Sequence, residues 1–158
     1  MTTDPLHPFE LVALDDMFDD EERAIRDTVR AYSSDHLRPH IAEWFETGRV
    51  PVRDFTPELG KLGVLGMHLS GYGCSGTNAT SYGLACMELE AVDSGIRSLV
   101  SVQGSLAMFP IWRFGSEEQK QQWLPGMASG ETIGCSGLTE PDAGSNPSGM
   151  RTNARRDG

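Results

Sequence analysis

Residues 79–114 read ATSYGLACMELEAVDSGIRSLVSVQGSLAMFPIWRF, and this stretch decides the fold. Its first part, residues 79–93, has apolar side chains in most helical directions and charge only at Glu88, Glu90 and Asp93. A helix that is apolar nearly all round is normally buried. The sequence therefore predicts a helix over residues 79–93 that is largely enclosed by the rest of a helical domain.

A second, longer apolar helix is predicted directly after the first. Residues 96–114 carry charge only at Arg97 and Arg113, and Pro110 lies within them. Proline removes a backbone hydrogen bond and kinks a helix. We expect residues 96–114 to form the central helix of the domain, with a kink at Pro110.

Capping and breaking residues predict shorter helices on both sides. The acidic run 19–22 favours a helix N-terminus, and Pro39 breaks or kinks the helix that follows. Thr56-Pro57 combines an N-cap residue with a proline at the first helical position, which predicts a helix of about two turns ending near Gly63. Residues 116–119, Ser-Glu-Glu-Gln, have the form of a capping box and open a last helix.

The pattern changes after this last helix. Residues 132–139 mix β-branched residues with glycine and predict a short strand, residues 140–149 predict a turn-rich loop, and residues 150–156 predict a second strand. Asp157-Gly158 is a strong two-residue hairpin signal, yet no returning strand follows it. An unpaired strand edge is unfavourable, so we expect that the chain is truncated here.

The chain is thus expected to have three parts. Residues 1–18 form an N-terminal extension, residues 19–130 a mainly α-helical domain, and residues 131–158 the incomplete start of a second region. A chain of 158 residues and 17.2 kDa is long enough to bury one hydrophobic core.

Composition excludes several classes of function. The chain has 13 Lys and Arg against 23 Asp and Glu, a net charge of −10, which argues against nucleic-acid binding. The charge-free run of residues 98–112 is too short and polar to span a membrane, and residues 1–10 lack an export signal. The three cysteines form no C-x-x-C pair, so reduced thiols and a cytoplasmic location are predicted.

Arg97 is a candidate binding residue. It lies at the start of an otherwise uncharged helix, where a cation opposes the positive end of the helix dipole and needs a compensating anion. Glu90, seven residues earlier, can supply that anion as a structural partner. Alternatively, an acidic ligand is bound by the guanidinium group with Ser98 beside it.

Two glycine-rich segments allow two interpretations each. Residues 71–76 match G-x-G-x-x-G, with Asp93 further along, but Asp93 lies at the end of a predicted helix and another helix follows it, so a plain interhelical loop is favoured over a dinucleotide-binding turn. Residues 137–146 expose small and hydroxyl side chains and backbone N–H groups, which suit a planar heterocycle and phosphate oxygens. They equally suit a solvated connection between domains.

No metal site or hydrolase site is predicted. His36 and His40 are spaced as an i, i+4 pair, but Pro39 interrupts the helix that would align them, and no further ligands lie nearby. No Ser-His-Asp or G-x-S-x-G arrangement is present.

Taken together and in order, several motifs resemble those of the acyl-CoA dehydrogenase family. They are Gly115-Ser116-Glu117-Glu118-Gln119-Lys120, Trp123-Leu124-Pro125, Leu138-Thr139-Glu140-Pro141 and Gly144-Ser145. Residues 71–76 and 89–98 resemble the glutaryl-CoA dehydrogenases within that family. The resemblance extends from about Leu11 to Gly158, and it departs from the usual pattern at Ile96 and Asn146.

The resemblance implies the N-terminal helical domain of the acyl-CoA dehydrogenase fold, followed by the first strands of its β domain. It also implies flavin chemistry: a carboxylate removes the α-proton of an acyl-CoA thioester while the β-hydrogen leaves as hydride to FAD. Glutaryl enzymes then lose CO2 and give crotonyl-CoA. The catalytic carboxylate would lie in C-terminal segments, so no catalytic residue is assigned in this chain, and we expect it to be inactive alone.

The motif match also implies individual binding residues. Cofactor contacts are expected from Ser136, Gly137, Leu138, Thr139, Gly144 and Ser145, the last also meeting the CoA thioester arm. Arg97 and Ser98 would bind the distal carboxylate of glutaryl-CoA, with Glu90 as the polar neighbour of Arg97.

Partners follow from the same resemblance. We expect an electron-transfer flavoprotein as electron acceptor and a homo-oligomer, a homotetramer, for the full-length protein. Two alternatives stay open: a short-chain acyl-CoA dehydrogenase or oxidase without a dicarboxylic substrate, and a non-catalytic helical interaction module.

Overall fold

The structure, a computed structural model, describes residues 14–157, so the expectations for residues 1–10 lie outside the described part. The described chain is mainly helical, which confirms the predicted fold class. The helices are α1 Asp20–Tyr32, α2 Ile41–Thr47, α3 Val52–Lys61, α4 Ala79–Glu90, α5 Ser94–Ser101, α6 Phe109–Phe114 and α7 Glu117–Ala128.

The predicted helix start at the acidic run and the predicted break at Pro39 are both confirmed. The Asp19 carboxylate accepts a hydrogen bond from the Glu22 amide, and the Glu22 carboxylate accepts one from the Asp19 amide, which completes a capping box at the start of α1. After α1 the chain passes through a π-helical segment, Ser33–Leu37, and a 3₁₀ turn, Arg38–His40, before α2 begins.

Helix α4 packs against α1, and its burial is one-sided. Glu88 is only 3% exposed and forms a bidentate ion pair with Arg30 of α1, with N–O distances of 2.9 and 3.0 Å. On the other side Ala79, Thr80 and Gly83 are exposed, so the prediction of an enclosed helix is wrong for that face. Ala and Gly expose little apolar area, so this face needs no cover.

The central helix runs from α5 to α6, and its irregularity precedes Pro110. A π-helical segment, Val102–Met108, joins the two α-helices, and Pro110 lies in the first turn of α6. The predicted disturbance is therefore present as a widened turn directly before the proline.

The helix predicted to begin at Thr56-Pro57 begins earlier, at Val52, so that prediction is wrong. Thr56 is 2% exposed, and its Oγ1 donates to the Gly130 carbonyl over 3.1 Å. Thr56 therefore joins α3 to the end of α7 instead of capping a helix, and Pro57 lies inside α3.

Residues 71–76 belong to a β-hairpin. Strand β1, Ser70–Gly71, pairs antiparallel with β2, Cys74–Ser75, and the turn between them places Tyr72 and Gly73 at φ of 56° and 87°. Asp93 caps α5 by accepting a hydrogen bond from the Ile96 amide. The dinucleotide-binding interpretation is therefore wrong for the described chain, because the turn leads into the antiparallel strand β2 and Asp93 caps α5 instead of ending a parallel strand.

The core divides into two clusters. The larger includes Leu37, Leu59, Leu89 and Val100, and the smaller packs Leu69 and Met108 against the buried residues of α7.

The capping box predicted at residues 116–119 is present, and α7 ends two residues before Gly130, close to the predicted end.

The strands predicted over residues 132–139 and 150–156 are not formed. Both segments are without regular secondary structure in the described chain, and only an isolated bridge between Glu140 and Ala143 lies between them. A strand is stabilised by hydrogen bonds to a neighbour, and no neighbouring strand lies within residues 14–157. The hairpin predicted at Asp157-Gly158 includes Gly158, which is outside the described residues.

Candidate functional site

The predicted contact between Arg97 and Glu90 is present. Arg97 Nε donates to Glu90 Oε2 over 2.6 Å across the turn between α4 and α5, and Ser94 Oγ donates to the same carboxylate over 2.5 Å. The hydrogen bond with Glu90 raises the pKa of Arg97, and the bond from Arg97 holds the pKa of Glu90 below its usual value. Both side chains therefore stay charged at neutral pH.

One edge of the Arg97 guanidinium remains available. Its Nη1 lies 3.3 Å from Ser101 Oγ, while Nη2 makes no hydrogen bond within residues 14–157. The side chain is 34% exposed. An arginine with one paired edge and one available nitrogen can bind a second carboxylate.

Ser98 and Ser101 differ in their relation to Arg97. In the described chain the Ser98 hydroxyl makes no hydrogen bond, and its carbonyl accepts one from Ser101 Oγ over 3.1 Å. Ser101 was missed by sequence reasoning, although its position four residues after Arg97 places it on the same helix face.

Further polar side chains surround this pair on α4 and the central helix. Tyr82 and Cys86 precede Glu90 at helical spacing on α4. Burial raises the pKa of Tyr82 and of Cys86, so both are neutral at pH 7. Tyr82 packs against the ring of His68 at 5.0 Å. Sequence reasoning missed this group, although the spacing 82, 86, 90 was visible.

The predicted cofactor-contact residues lie in an exposed segment without regular secondary structure. Ser136, Gly137, Leu138 and Thr139 are all exposed, Leu138 by 58%. In the described chain, no hydrogen bond involves a backbone amide of residues 135–139. Free amides beside exposed hydroxyl groups fit the polar edge of a planar heterocycle.

A tight turn between Glu140 and Ala143 follows this segment, and Gly144 and Ser145 come directly after the turn. The backbones of Glu140 and Ala143 exchange two hydrogen bonds, and the Glu140 carboxylate accepts from the amides of Arg151 and Thr152 over 2.8 and 2.7 Å. Bonds from Thr152 and Arg151 hold the pKa of Glu140 below its usual value. A Cβ at Gly144 would meet nothing within 4 Å, so a phosphate group has room to approach its backbone.

The structure brings the predicted site residues together in two separate groups. Glu90 and Arg97 are in contact, and residues 136–139 adjoin the turn of Gly144 and Ser145. In the part of the chain that the structure describes, no hydrogen bond or ion pair links Arg97 to Ser145.

His36 and His40 do not form a metal site. Their rings pack against different neighbours, Tyr32 and Trp44, and no cluster of metal ligands is present among the described residues.

Within the same residues, no helix has the length and apolar character needed to cross a membrane.

Comparison with known proteins relates this geometry to a family. Residues 19–131 match the family described as acyl-CoA dehydrogenase, N-terminal domain. A crystal structure of glutaryl-CoA dehydrogenase from Mycobacterium smegmatis is 63% identical, with a TM-score of 0.90 over 95% of this chain and 39% of that one. A second structure, of a glutaryl-CoA dehydrogenase from M. smegmatis in complex with FADH2, is 62% identical, with a TM-score of 0.91 over 98% of this chain and 40% of that one.

A more distant relative is the short-chain specific acyl-CoA dehydrogenase of Clostridium acetobutylicum. It is 36% identical over 139 residues, which are 87% of this chain and 36% of the relative. The chain thus spans little more than a third of the length of such relatives.

Proposed function

Because the chain belongs to the acyl-CoA dehydrogenase family, we propose that it is the N-terminal part of an FAD-dependent enzyme acting on glutaryl-CoA. Identity of 63% to a glutaryl-CoA dehydrogenase, against 36% to a short-chain enzyme, supports this substrate. The single observation that carries it is the available Nη2 edge of Arg97 beside its contact with Glu90. In this proposal residues 19–130 are the helical domain and residues 131–158 the start of the β domain.

Arg97 is the residue proposed to select the substrate. A second carboxylate bound at Nη2 places two anions around one guanidinium, which is favourable because each makes a charge-assisted hydrogen bond. The Ser98 hydroxyl, which makes no hydrogen bond in the described chain, can donate to the same carboxylate, and Glu90 orients the guanidinium. A simple acyl chain has no group for this site, so Arg97 favours a dicarboxylic substrate.

Residues 136–145 are proposed to bind the cofactor. When bound, FAD accepts the hydride that leaves the β-carbon of the acyl group. The amides and hydroxyls of residues 136–139 orient the flavin ring, while Gly144 and Ser145 contact its phosphate, with Ser145 also meeting the CoA thioester arm. The base that removes the α-proton is assigned to no residue of this chain.

The finer parts of the proposal concern the complete protein. We place loss of CO2 to give crotonyl-CoA after the oxidation, an electron-transfer flavoprotein as acceptor, and a homotetramer as the assembly. Each follows from the family resemblance.

Turnover by the protein that contains this chain with its flanking domains tests the proposal. With an artificial electron acceptor, glutaryl-CoA should be oxidised and release CO2. Oxidation of butyryl-CoA with no turnover of glutaryl-CoA would contradict the substrate and support a short-chain enzyme. A folded protein without flavin absorbance would contradict the enzyme itself and favour a helical interaction module.

A further inference from the structure

Gln103 makes an unusual set of hydrogen bonds. It lies in the π-helical segment Val102–Met108 and is only 2% exposed. Its Nε2 donates to the carbonyls of Met127 and Thr132 over 3.0 and 2.8 Å, and its Oε1 accepts from the Gly134 amide over 2.8 Å. One buried side chain therefore connects the central helix to the end of α7 and to the segment that follows it.

The three backbone groups require a carboxamide. Two carbonyls and one N–H need two donors and one acceptor on a single group, which Gln and Asn supply. A carboxylate at this position would face two carbonyl oxygens. An apolar side chain would leave the buried Met127 carbonyl and the partly buried Thr132 carbonyl and Gly134 amide without Gln103 as their partner. The bonding pattern therefore explains why a large polar side chain is buried here.

Close packing reinforces these hydrogen bonds at Gly134. A Cβ on Gly134 would lie 2.5 Å from the Ala107 Cβ and 2.7 Å from the Met127 Cε, closer than real contacts allow. The backbone of Gly134 is thus pressed between the π-helical segment and α7.

Gly134 is also the point at which the exposed segment begins. In the described chain, no backbone amide between Gly134 and Glu140 donates a hydrogen bond. The position of residues 135–139 is therefore set at one end by the bond from Gly134 to Gln103 and at the other by the Glu140 turn.

From this arrangement we infer that Gln103 is a positioning residue for the cofactor: its carboxamide fixes where residues 135–139 leave the helical domain. The inference rests on the proposed function, because it takes those residues to contact FAD. Gln103 itself touches backbone only and acts through the amides of the segment. A π-helical turn here fits this role, since such turns occur frequently at functional sites.

The test is Gln103→Leu in the FAD-loaded protein, since leucine removes all three hydrogen bonds and keeps the site apolar. We expect amide exchange at Gly134 to speed up by about tenfold and the Kd for FAD to rise by about tenfold, as for the loss of one buried hydrogen bond. The visible absorption and circular dichroism of the bound flavin should also change.

Thr56→Val is the matched control. It removes another buried hydrogen bond, from Thr56 to the Gly130 carbonyl, without touching residues 132–134. It should lower the stability of the helical domain and leave the flavin spectrum unchanged. If Gln103→Leu does not fold, Gly134→Ala tests the same contact, because its Cβ displaces the segment and removes no polar group.

The outcomes separate this inference from the proposed function. Normal FAD affinity and spectra in Gln103→Leu and Gly134→Ala, matching Thr56→Val, would overturn the inference and leave the enzyme assignment intact. A wild-type protein that binds no FAD would overturn both. In that case amide exchange at Gly134 still shows whether Gln103 holds the segment.

Discussion

Arg97 Nε lies 2.6 Å from Glu90 Oε2, so a carboxylate from the end of α4 occupies one edge of the guanidinium in the protein itself. A cation in the first turn of α5 opposes the positive end of the helix dipole and needs a compensating anion. Glu90 supplies that anion. It also orients the guanidinium, which leaves Nη2 as the group available to a substrate. The structural and the binding interpretations of Arg97 are therefore compatible.

Arg97→Ala should remove selection for a dicarboxylic substrate. We expect kcat/KM for glutaryl-CoA to fall by about 10²-fold or more, because a charge-assisted pair to the substrate is lost. Arg97→Lys should give an intermediate loss, since an ammonium group keeps the charge without the fixed fork. Steady-state kinetics with glutaryl-CoA and butyryl-CoA measure both effects.

Arg113→Ala is the control for this prediction. Arg113 lies exposed at the end of α6 and contacts the ring of Phe114, so the variant loses the same charge from the same helical stretch. It should leave kcat/KM for both substrates within about twofold, as expected for a surface charge. Equal losses of kcat/KM in Arg97→Ala and Arg113→Ala would show that the change in net charge lowers activity, and not the loss of a specific contact with the substrate.

The ion pair between Glu88 and Arg30 should contribute to stability. Glu88 is 3% exposed while Arg30 is 32% exposed, so the pair is only partly screened by water. We expect Glu88→Ala to lower the free energy of unfolding by about 2–3 kcal/mol, below the range for fully buried pairs. Urea unfolding measures this, with Glu58→Ala as control, because its exposed pair with Lys61 should contribute less than about 0.5 kcal/mol.

Local signals in the sequence predicted local structure correctly. The helix start at the acidic run 19–22 and the capping box at Ser116 each depend on residues within one turn, and the contact of Glu90 with Arg97 spans a single turn between helices. In each case the sequence separation is short, so neighbouring residue types suffice to define the contact.

Contacts between distant parts of the chain account for what the sequence could not predict. Thr56 has the residue type of an N-cap, but its hydroxyl bonds to Gly130, 74 residues away, so the helix starts earlier. Residues 132–139 have strand composition but lack a partner strand among the described residues. Gln103 gave no signal, since its bonding partners lie 24 to 31 residues further along.

Gly144→Ala should leave the stability of the protein nearly unchanged but weaken its binding of FAD. No atom lies within 4 Å of the position of an added Cβ, so the free energy of unfolding should change by less than about 0.5 kcal/mol. If flavin phosphate approaches this backbone, the methyl group should raise the Kd for FAD by about tenfold, the equivalent of one hydrogen bond. Gly83→Ala on α4, with equally open space, should leave the Kd unchanged.

The turn that follows the cofactor segment should loosen in acid. Because Thr152 and Arg151 hold the pKa of Glu140 below its ordinary value of 4.5, the carboxylate stabilises the turn at neutral pH, and this contribution is lost as the pH falls through the lowered pKa. Hydrogen-exchange protection of the Arg151 and Thr152 amides, corrected for intrinsic rates, should therefore fall below pH 4.5.

Glu140→Gln provides the comparison for this acid effect. Its amide group can accept only one of the two backbone hydrogen bonds well, because its nitrogen is a donor. We expect the Arg151 and Thr152 amides in this variant to be poorly protected at pH 7 and to show no further loss in acid. Glu131 is an exposed carboxylate nine residues earlier in the chain, and Glu131→Gln should behave as wild type. If protection in Glu140→Gln falls with pH as in wild type, another group controls the turn.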